Sequence, residues 1–310
     1  MIPIVIIGAG IAGLACARRL AEAGLAPVLL DKGRGIGGRV ATRRMGDMQF
    51  DHGAQYVTAK NAGFATLLGA LGKAGALADW HDGRGRKYSV GTPGMSAIPK
   101  ALGVGLDIRQ GAQVTRLVPD GDGWELHTEG GMLRSRRVVV TVPAPQVAGL
   151  LGPDHPLVAA LAPVQMAPCL TLMAAVTAPP PFVTRQDPDD PLAWIAQNSS
   201  KPGRPQTDAT LWVAQAGEAF SHAHIEQDAK AIADAMLPLL CDRLGVAQDR
   251  VTQATAHRWR YARVTQALGL PFLRSPDASL HLGGDWCIGA RVEAAWDSGT
   301  AIADDILARE

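Results

Sequence analysis

The sequence predicts an α/β protein in which a Rossmann-type domain, assembled from separate parts of the chain, carries an inserted α+β domain. Three observations point to this fold class. A glycine-rich turn joins an apolar run to a helical segment at the N-terminus. Glycine turns separate three strand-like runs within residues 112–142, and a strand, a turn and a helix close the chain at residues 279–308.

The N-terminal unit has the order strand, turn, helix, strand. Residues 2–7 are an apolar run rich in Ile and Val, as expected of a strand buried on both faces. After the turn, residues 14–23 are predicted to be helical and residues 26–30 to form a second strand. Asp31 ends that strand, 18 residues after the last glycine of the turn.

The turn has the pattern G-x-G-x-x-G, and each glycine has a role in binding a dinucleotide. Gly8 allows the tight turn, Gly10 leaves room for a pyrophosphate, and Gly13 lets the helix lie close to the strand. The helix N-terminus presents free N–H groups to the phosphates, and Asp31 would accept hydrogen bonds from the adenosine ribose. The unit therefore predicts a dinucleotide site.

A second glycine-rich element, G-x-G-x-G-G-R at residues 33–39, follows Asp31 almost at once. A unit that binds only NAD does not need it. Its glycines, Gly38 among them, would let the backbone fold against the cofactor beside Lys32, and Arg39 would supply a fixed cation for the second phosphate. A solvated basic loop is the alternative. The pattern resembles the FAD-binding loop of the flavin amine oxidase superfamily.

Two later segments are expected to close over an extended FAD. In the segment FDHGAQY, residues 50–56, the side chains of Gln55 and Tyr56 are predicted to bond to or pack near the flavin, with a polar loop as the alternative. The first of the three strand-like runs within residues 112–142 contains Val114. By resemblance to this superfamily, main-chain groups near Val114 are expected to bind the adenine.

The C-terminal unit repeats the combination of a helix start and an acid. A short strand, residues 279–282, leads to Gly284 and Asp285, and the last helix begins at about Arg291 and Val292. In the superfamily that this segment resembles, the matching Asp bonds a ribityl or phosphate-adjacent group, and the helix start faces the flavin edge. An acid in the N-cap region of a helix is the alternative for Asp285.

Because cofactor contacts are expected from both chain ends, the FAD-binding domain must be discontinuous. We assign residues 1–59, 101–149 and 276–310 to it, and residues 60–100 and 150–275 to the substrate domain.

Within the substrate domain, strands are predicted at residues 169–176 and 210–214, and a single helix at about 222–244 with a kink at Pro238.

The stretch TAHRWRY in the substrate domain is the candidate for contact with the substrate. As a strand it would place His257, Trp259 and Tyr261 on one face and Arg258 and Arg260 on the other. An aromatic wall with an imidazole suits a flat ring stacked on a flavin, whereas a charged ligand would instead meet the arginines. An ordinary packed face is the third possibility, and the sequence does not orient the strand.

Motifs along nearly the whole chain resemble those of the bacterial renalases, a branch of the flavin amine oxidase superfamily. They are DKGRGIGGR at 31–39, DHGAQY at 51–56, PGMSAI at 93–98, TVPAPQ at 141–146, NSSKP at 198–202, AHRWRYAR at 256–263 and GGDWCIGARVEAAWDSG at 283–299. The resemblance implies a Rossmann-type FAD-binding domain with an inserted α+β substrate domain. It also implies non-covalent FAD, with contacts at Ala12, Arg39, Gln55 and Tyr56.

The resemblance further implies oxidation of isomeric dihydronicotinamides, the 1,2- or 1,6-dihydro forms of NAD(P)H, with hydride passing to the flavin and dioxygen yielding hydrogen peroxide. Loss of hydride makes the nicotinamide ring aromatic, so no strong general base or metal is expected. Stacking of the substrate carbon within about 3–3.5 Å of the flavin would supply most of the catalysis.

Three other functions stay open: amine oxidation on the same fold, a flavin-dependent desaturase or isomerase, and non-catalytic dinucleotide binding. A covalent flavin at Cys287 is a less favoured variant.

The amino-acid composition limits the kinds of binding partner that can be expected. Thirty basic residues face 29 acidic ones, for a net charge of +1, which gives no electrostatic case for nucleic acid or an anionic membrane. The four cysteines are scattered, so neither a disulfide framework nor a zinc site is expected, and a cytoplasmic location is the simplest interpretation. The expected partners are a small-molecule substrate and dioxygen, and the oligomeric state is left open.

Overall fold

The computed structural model describes all residues, 1–310. Most of the strands belong to two larger sheets. In chain order the first half contains β1 (Ile2–Ile7), α1 (Ile11–Glu22), β2 (Val28–Asp31), β3 (Thr42–Met45), β4 (Met48–Asp51), α2 (Ala62–Lys73), β5 (Leu77–His81), β6 (Lys87–Gly91), α3 (Ala97–Gly103), β7 (Asp107–Gln110), β8 (Val114–Asp120), β9 (Gly123–Thr128), β10 (Gly131–Val140), α4 (Ala144–Leu151) and α5 (Pro156–Ala159). The second half contains β11 (Gln165–Val176), β12 (Thr184–Gln186), β13 (Trp194–Gln197), β14 (Thr210–Gln215), α6 (Glu218–His224), α7 (Ala229–Leu244), β15 (Val251–Gln266), β16 (Leu273–Arg274), β17 (Leu280–Leu282) and α8 (Val292–Leu307).

The first sheet has eight strands, with β16, β17, β10, β1, β2 and β7 in spatial order and the β8–β9 hairpin attached to β10. Strands β17, β10, β1, β2 and β7 run parallel to one another, whereas β16 and β9 are antiparallel to the strands beside them. Because the carboxyl ends of parallel strands meet at one edge, the turns after β1, β2 and β17 lie together there. The predicted βαβ unit is confirmed, and α1 begins at Ile11, three residues earlier than predicted.

The second sheet is antiparallel, with β12, β13, β14, β11 and β15 in spatial order. One of its faces packs on α7, where Leu170 and Leu172 share a core with Ile232 and Met236. On the other face, Met173, Ala175, Leu211 and Val213 surround the buried ring of Phe50. The segment that follows Phe50 therefore leaves the first domain's hairpin and runs against the second sheet.

The helix predicted at 222–244 is two helices, α6 and α7. The chain breaks before Asp228, whose carboxylate accepts a hydrogen bond from the Ala231 N–H at 2.8 Å and so caps a new helix. Pro238 lies inside α7, as expected.

Residues 62–91 pack in a hydrophobic core that they share with both larger sheets. Phe64 of α2 and Trp80 of β5 belong to a hydrophobic core that also contains Ile6 of the first sheet and Trp194 of the second. The domain boundaries assigned above stay a prediction. None of the helices combines the length and apolar composition that a bilayer crossing requires.

Candidate active site

The turn after β1 leaves open space where a phosphate group would lie. Gly8 has φ +103°, and a Cβ at Gly13 would fall 2.0 Å from the Gly8 carbonyl oxygen, so the tight turn and the close helix both require glycine. A Cβ at Gly10, by contrast, would meet no protein atom within 4 Å. Protein packing therefore gives no reason for glycine at position 10, whereas a dinucleotide pyrophosphate at the N-terminus of α1 does.

The Asp31 carboxylate ties the two glycine-rich loops together. One oxygen accepts the Ala9 N–H at 2.6 Å and the other the Gly33 N–H at 2.6 Å. Each carboxylate oxygen has a second lone pair, so the group can still accept ribose hydroxyls. Lys32 beside it is exposed, with Nζ 3.3 Å from the Gln146 Oε1.

The second glycine-rich loop folds back onto the first. The Gly37 N–H donates to the Ala9 carbonyl at 2.8 Å, and a Cβ at Gly38, which has φ +54°, would lie in ordinary contact with the Gly10 Cα at 3.7 Å. The two loops thus form one continuous backbone surface at the carboxyl edge of the first sheet, which fits an extended dinucleotide.

Arg39 and Asp285 join the N-terminal and C-terminal motifs. The guanidinium donates to both carboxylate oxygens, at 2.8 and 2.6 Å, and also to the Ala262 carbonyl at 3.1 Å. The Asp285 side chain is 8% exposed and that of Arg39 30% exposed. The phosphate role of Arg39 and the ribityl role of Asp285 stay predictions, but the bidentate pair brings the two groups together at one place.

The C-terminal helix packs directly on the first helix. A Cβ at Gly299 in α8 would lie 2.0 Å from the Ala12 carbonyl oxygen of α1. At the start of α8, just before Val292, the Arg291 guanidinium donates to the Thr58 carbonyl at 3.0 Å. Gly299 was not singled out from the sequence, although it ends the last of the resembling motifs.

Two further predicted contacts lie at turns of the first sheet. Gly284 has φ +154°, and its N–H donates to the Ser298 hydroxyl at 2.9 Å. Val114 is the first residue of β8 and is buried. Both stay predicted cofactor contacts.

Residues 50–56 form a buried crossing between the two sheets. Gly53 packs against Arg39 so tightly that a Cβ would fall 2.0 Å from the Arg39 carbonyl oxygen. The buried Gln55 amide donates to the Gly53 carbonyl at 3.0 Å and accepts from Lys201 Nζ at 3.1 Å. Tyr56 stacks on Tyr88 with ring centroids 3.9 Å apart.

The structure shows which face of β15 points to the protein interior. Arg260 pairs with Glu226 at 2.5 and 2.9 Å, and Arg258 donates to carbonyls at the end of α6, so both arginines lie on the exposed face. His257 and Trp259 face the interior, where the Trp259 Nε1–H donates to the His52 carbonyl at 2.7 Å. Tyr261 is half-buried and makes no ring contact with either of them.

His52 completes the wall and was missed by the sequence analysis. Its ring stacks on Trp259 at a centroid distance of 5.2 Å and meets His257 edge-on at 4.8 Å, while His257 and Trp259 are 4.3 Å apart. The buried Nδ1 of His52 has no hydrogen-bond partner. Its place in the DHGAQY motif was visible, but only tertiary contacts reveal its orientation.

Both imidazoles are held neutral at physiological pH. Burial, the neighbouring His257 and the charge of Arg43 lower the pKa of His52 to about 4, with Asp51 opposing them. Burial and the charges of Arg43 and Arg258 also lower the pKa of His257. The wall therefore presents neutral imidazole rings.

A buried ionic cluster behind the wall was also missed. Asp51 is fully buried, and one of its oxygens accepts from Lys201 Nζ at 3.2 Å and from the Arg204 guanidinium. Its other oxygen accepts from the Thr42 hydroxyl at 2.8 Å and the Met95 N–H at 2.9 Å. The sequence signals were the DHGAQY motif, which begins at Asp51, and the NSSKP motif, which contains Lys201.

Cys287 is fully buried, and burial raises the pKa of its thiol to about 12. The thiol therefore stays protonated and is not poised to act as a nucleophile toward a flavin.

Comparisons with known proteins were made for the sequence and for the fold. A family model described as an NAD(P)-binding Rossmann-like domain matches residues 6–69, and one described as a flavin-containing amine oxidoreductase matches residues 70–307. A putative protoporphyrinogen oxidase from an Exiguobacterium species superposes with a TM-score of 0.81 at 15% identity, covering 100% of this chain and 99% of that one.

Two amine oxidases also share the fold. A double mutant of putrescine oxidase has a TM-score of 0.78 at 15% identity, and cyclohexylamine oxidase from Brevibacterium oxydans has 0.71 at 14% identity. Each comparison covers 99% of both chains. At such identities the likeness concerns the fold, and it confirms the predicted Rossmann-type domain with a second, inserted α+β region.

Proposed function

The chain belongs to the flavin-containing amine oxidoreductase family and is an FAD-dependent oxidoreductase, and from this premise we propose that its substrate is a 1,2- or 1,6-dihydro isomer of NAD(P)H. Bound FAD supplies the redox chemistry, taking up a hydride from the substrate ring and passing the electrons to dioxygen, so that hydrogen peroxide and NAD(P)⁺ are released.

One observation carries this choice of substrate: the wall of His52, His257 and Trp259 has no free carboxylate. Burial is the main cause of the lowered pKa of both imidazoles, and the charge of Arg43 lowers the pKa of both further. The nearby carboxylate, Asp51, is fully buried and neutralised by Lys201 and Arg204. A protonated amine would meet net positive charge here, whereas a dinucleotide carries phosphates.

The side chains of the wall suit a planar ring that gives up hydride. The Trp259 indole is fixed by its hydrogen bond to the His52 carbonyl, and so can hold a ring at stacking distance without adjusting. No proton needs to leave the substrate, since the oxidised ring is aromatic.

Amine oxidation is the second candidate, because the family description and two of the structural neighbours concern amines. A desaturase that removes hydride from a carbon skeleton is the third, suggested by the putative protoporphyrinogen oxidase neighbour. Neither gives a reason for an arginine-flanked imidazole wall.

The deciding experiment is anaerobic stopped-flow mixing of the holoenzyme with the NADH isomers formed by borohydride reduction of NAD⁺. We expect rapid bleaching of the flavin absorbance, then one hydrogen peroxide per substrate when air is admitted. Putrescine and cyclohexylamine serve as rival substrates in the same apparatus. Bleaching by an amine but by none of the NADH isomers would overturn the proposal.

A further inference from the structure

Arg43 is a cation without a partner at the edge of the imidazole wall. It lies in β3 and is exposed, and its side chain makes neither a hydrogen bond nor an ion pair. Most other arginines of the chain pair with an acid or a carbonyl, including Arg39 four residues earlier.

The register of the β3–β4 hairpin fixes the direction of Arg43. It lies directly opposite Phe50, and opposite residues of an antiparallel pair point to the same side. The Phe50 ring is buried against Met173 and Val213 on the inner face of the second sheet. Arg43 therefore extends over this inner face and not over the outside of the hairpin.

The same inner face carries the imidazole wall. In β11, Thr171 lies on the same face as Met173, two residues away. His257 of β15 is paired directly with Thr171. His52 follows Phe50 by two residues. Arg43 and both imidazoles thus border one region, in agreement with the effect of the Arg43 charge on both rings.

From this juxtaposition we infer that Arg43 is a specificity-determining residue that binds a phosphate group of the substrate dinucleotide while the nicotinamide ring lies against the wall of His52, His257 and Trp259. The inference rests on the proposed function and adds to it the group that recognises the non-reacting half of the substrate. A guanidinium suits this task because it stays charged at every working pH and can make paired hydrogen bonds to phosphate oxygens.

Arg44 provides a matched control. It is also exposed and without a partner, but it lies opposite Gln49, so it points to the other side of the hairpin. Replacing either arginine by Gln removes one charge and keeps a polar, though shorter, side chain. Visible spectra and thermal unfolding of each holoenzyme would verify that flavin content and fold are unchanged.

The test measures the dissociation constant for anaerobic flavin reduction with two substrates, an isomeric dihydro-NAD and the corresponding dihydronicotinamide riboside, which has no phosphate. For Arg43→Gln we expect a rise of about tenfold or more for the dinucleotide, a weaker dependence on salt, and no change for the riboside. Arg44→Gln is expected to change neither substrate's constant.

The experiment distinguishes failure of the proposed function from failure of the role inferred for Arg43. If the wild-type holoenzyme is reduced by neither substrate, the proposed function fails, and this inference with it. If the wild type is reduced but Arg43→Gln keeps the wild-type preference for the dinucleotide over the riboside, the proposed function stands and the role of Arg43 is overturned.

Discussion

At the scale of single residues, Gly10 and Gly13 belong to one motif pattern but differ in their surroundings, because Gly10 borders open space and Gly13 packs against the protein backbone. A Cβ at Gly10 would meet open space, whereas a Cβ at Gly13 would fall 2.0 Å from the Gly8 carbonyl oxygen. The pattern G-x-G-x-x-G alone does not separate these two requirements, but the contacts of each position do.

We therefore expect Gly10→Ala to fold with wild-type stability but to bind FAD at least about tenfold more weakly, because a methyl group would occupy the phosphate space. Gly13→Ala should lose about 1–3 kcal/mol of unfolding free energy or more, since the helix must move off the strand. Urea unfolding of the apoproteins and FAD titration measure the two effects. Equal effects of both substitutions on apoprotein stability would contradict this assignment.

His52 should make the protein less stable at acidic pH. Its pKa is 6.5 in an unfolded chain and about 4 in the folded one, so the unfolded state binds more protons between these values. The stability that the neutral ring contributes is complete above pH 6.5 and is lost as pH falls toward 4. His257, Arg43 and Asp51 are the charged or titratable groups that act on it.

The measurement is the free energy of unfolding of wild type and His52→Asn from pH 7 to pH 5. Using the difference between the two proteins cancels the other titrating groups. We expect the wild type to lose on the order of 2 kcal/mol more than the variant over this interval. Parallel curves for the two proteins would show that the pKa of His52 is the same in the folded and unfolded states, and would contradict this prediction.

At the scale of elements, β15 has two faces with separate tasks. Arg258 and Arg260 bind the α6 region at the surface, while His257 and Trp259 line the interior. The alternative in which a charged ligand meets this pair of arginines is therefore not supported, because their donors are already engaged by carbonyls and Glu226.

We expect His257→Ala and Trp259→Phe to retain FAD but to slow anaerobic flavin reduction by about tenfold or more, because the substrate ring loses its fixed wall. Arg260→Gln, on the opposite face, is the control and should reduce at the wild-type rate. The rates come from stopped-flow absorbance with a saturating reductant. If the control slowed as much as the two wall variants, a general disturbance of β15 would explain the results better.

At the scale of the whole molecule, the crossing of residues 50–56 is fastened by a buried ionic cluster. Asp51 is the last residue of the β3–β4 hairpin, whereas Lys201 and Arg204 follow β13 of the second sheet. All three side chains are fully buried, and burial lowers the pKa of Lys201 to about 8. The cluster holds the β3–β4 hairpin against the loop after β13, beside the proposed substrate wall.

Asp51→Asn should reduce the unfolding free energy by about 3–5 kcal/mol, because two buried cations would lose their counter-charge. Asp47→Asn, in the exposed turn of the same hairpin, is the matched control and should have little effect. Thermal and urea unfolding measure both. Adding Lys201→Met to Asp51→Asn should recover part of the loss, and a double variant no more stable than the single one would argue against charge as the cause.

Sequence patterns alone were sufficient to predict the Rossmann-type unit, its glycine-rich loops and an FAD-dependent oxidoreductase. These features are local: apolar runs mark buried strands, glycines mark positions without room for a side chain, and Asp31 ends the strand in which it lies. Only one predicted element was divided differently, since the cap at Asp228 splits the helix expected at 222–244.

The tertiary structure decided which face of β15 lies inside, that Arg39 pairs with Asp285, and that His52 and the ionic cluster of Asp51 stand behind the site. An alternating strand pattern is equally consistent with either orientation. It separates the residues into two faces, but it does not tell which face is buried until another element packs on one of them. Pairs separated by more than a hundred residues leave no spacing rule in a single sequence. Long-range packing therefore supplied what the local patterns left open.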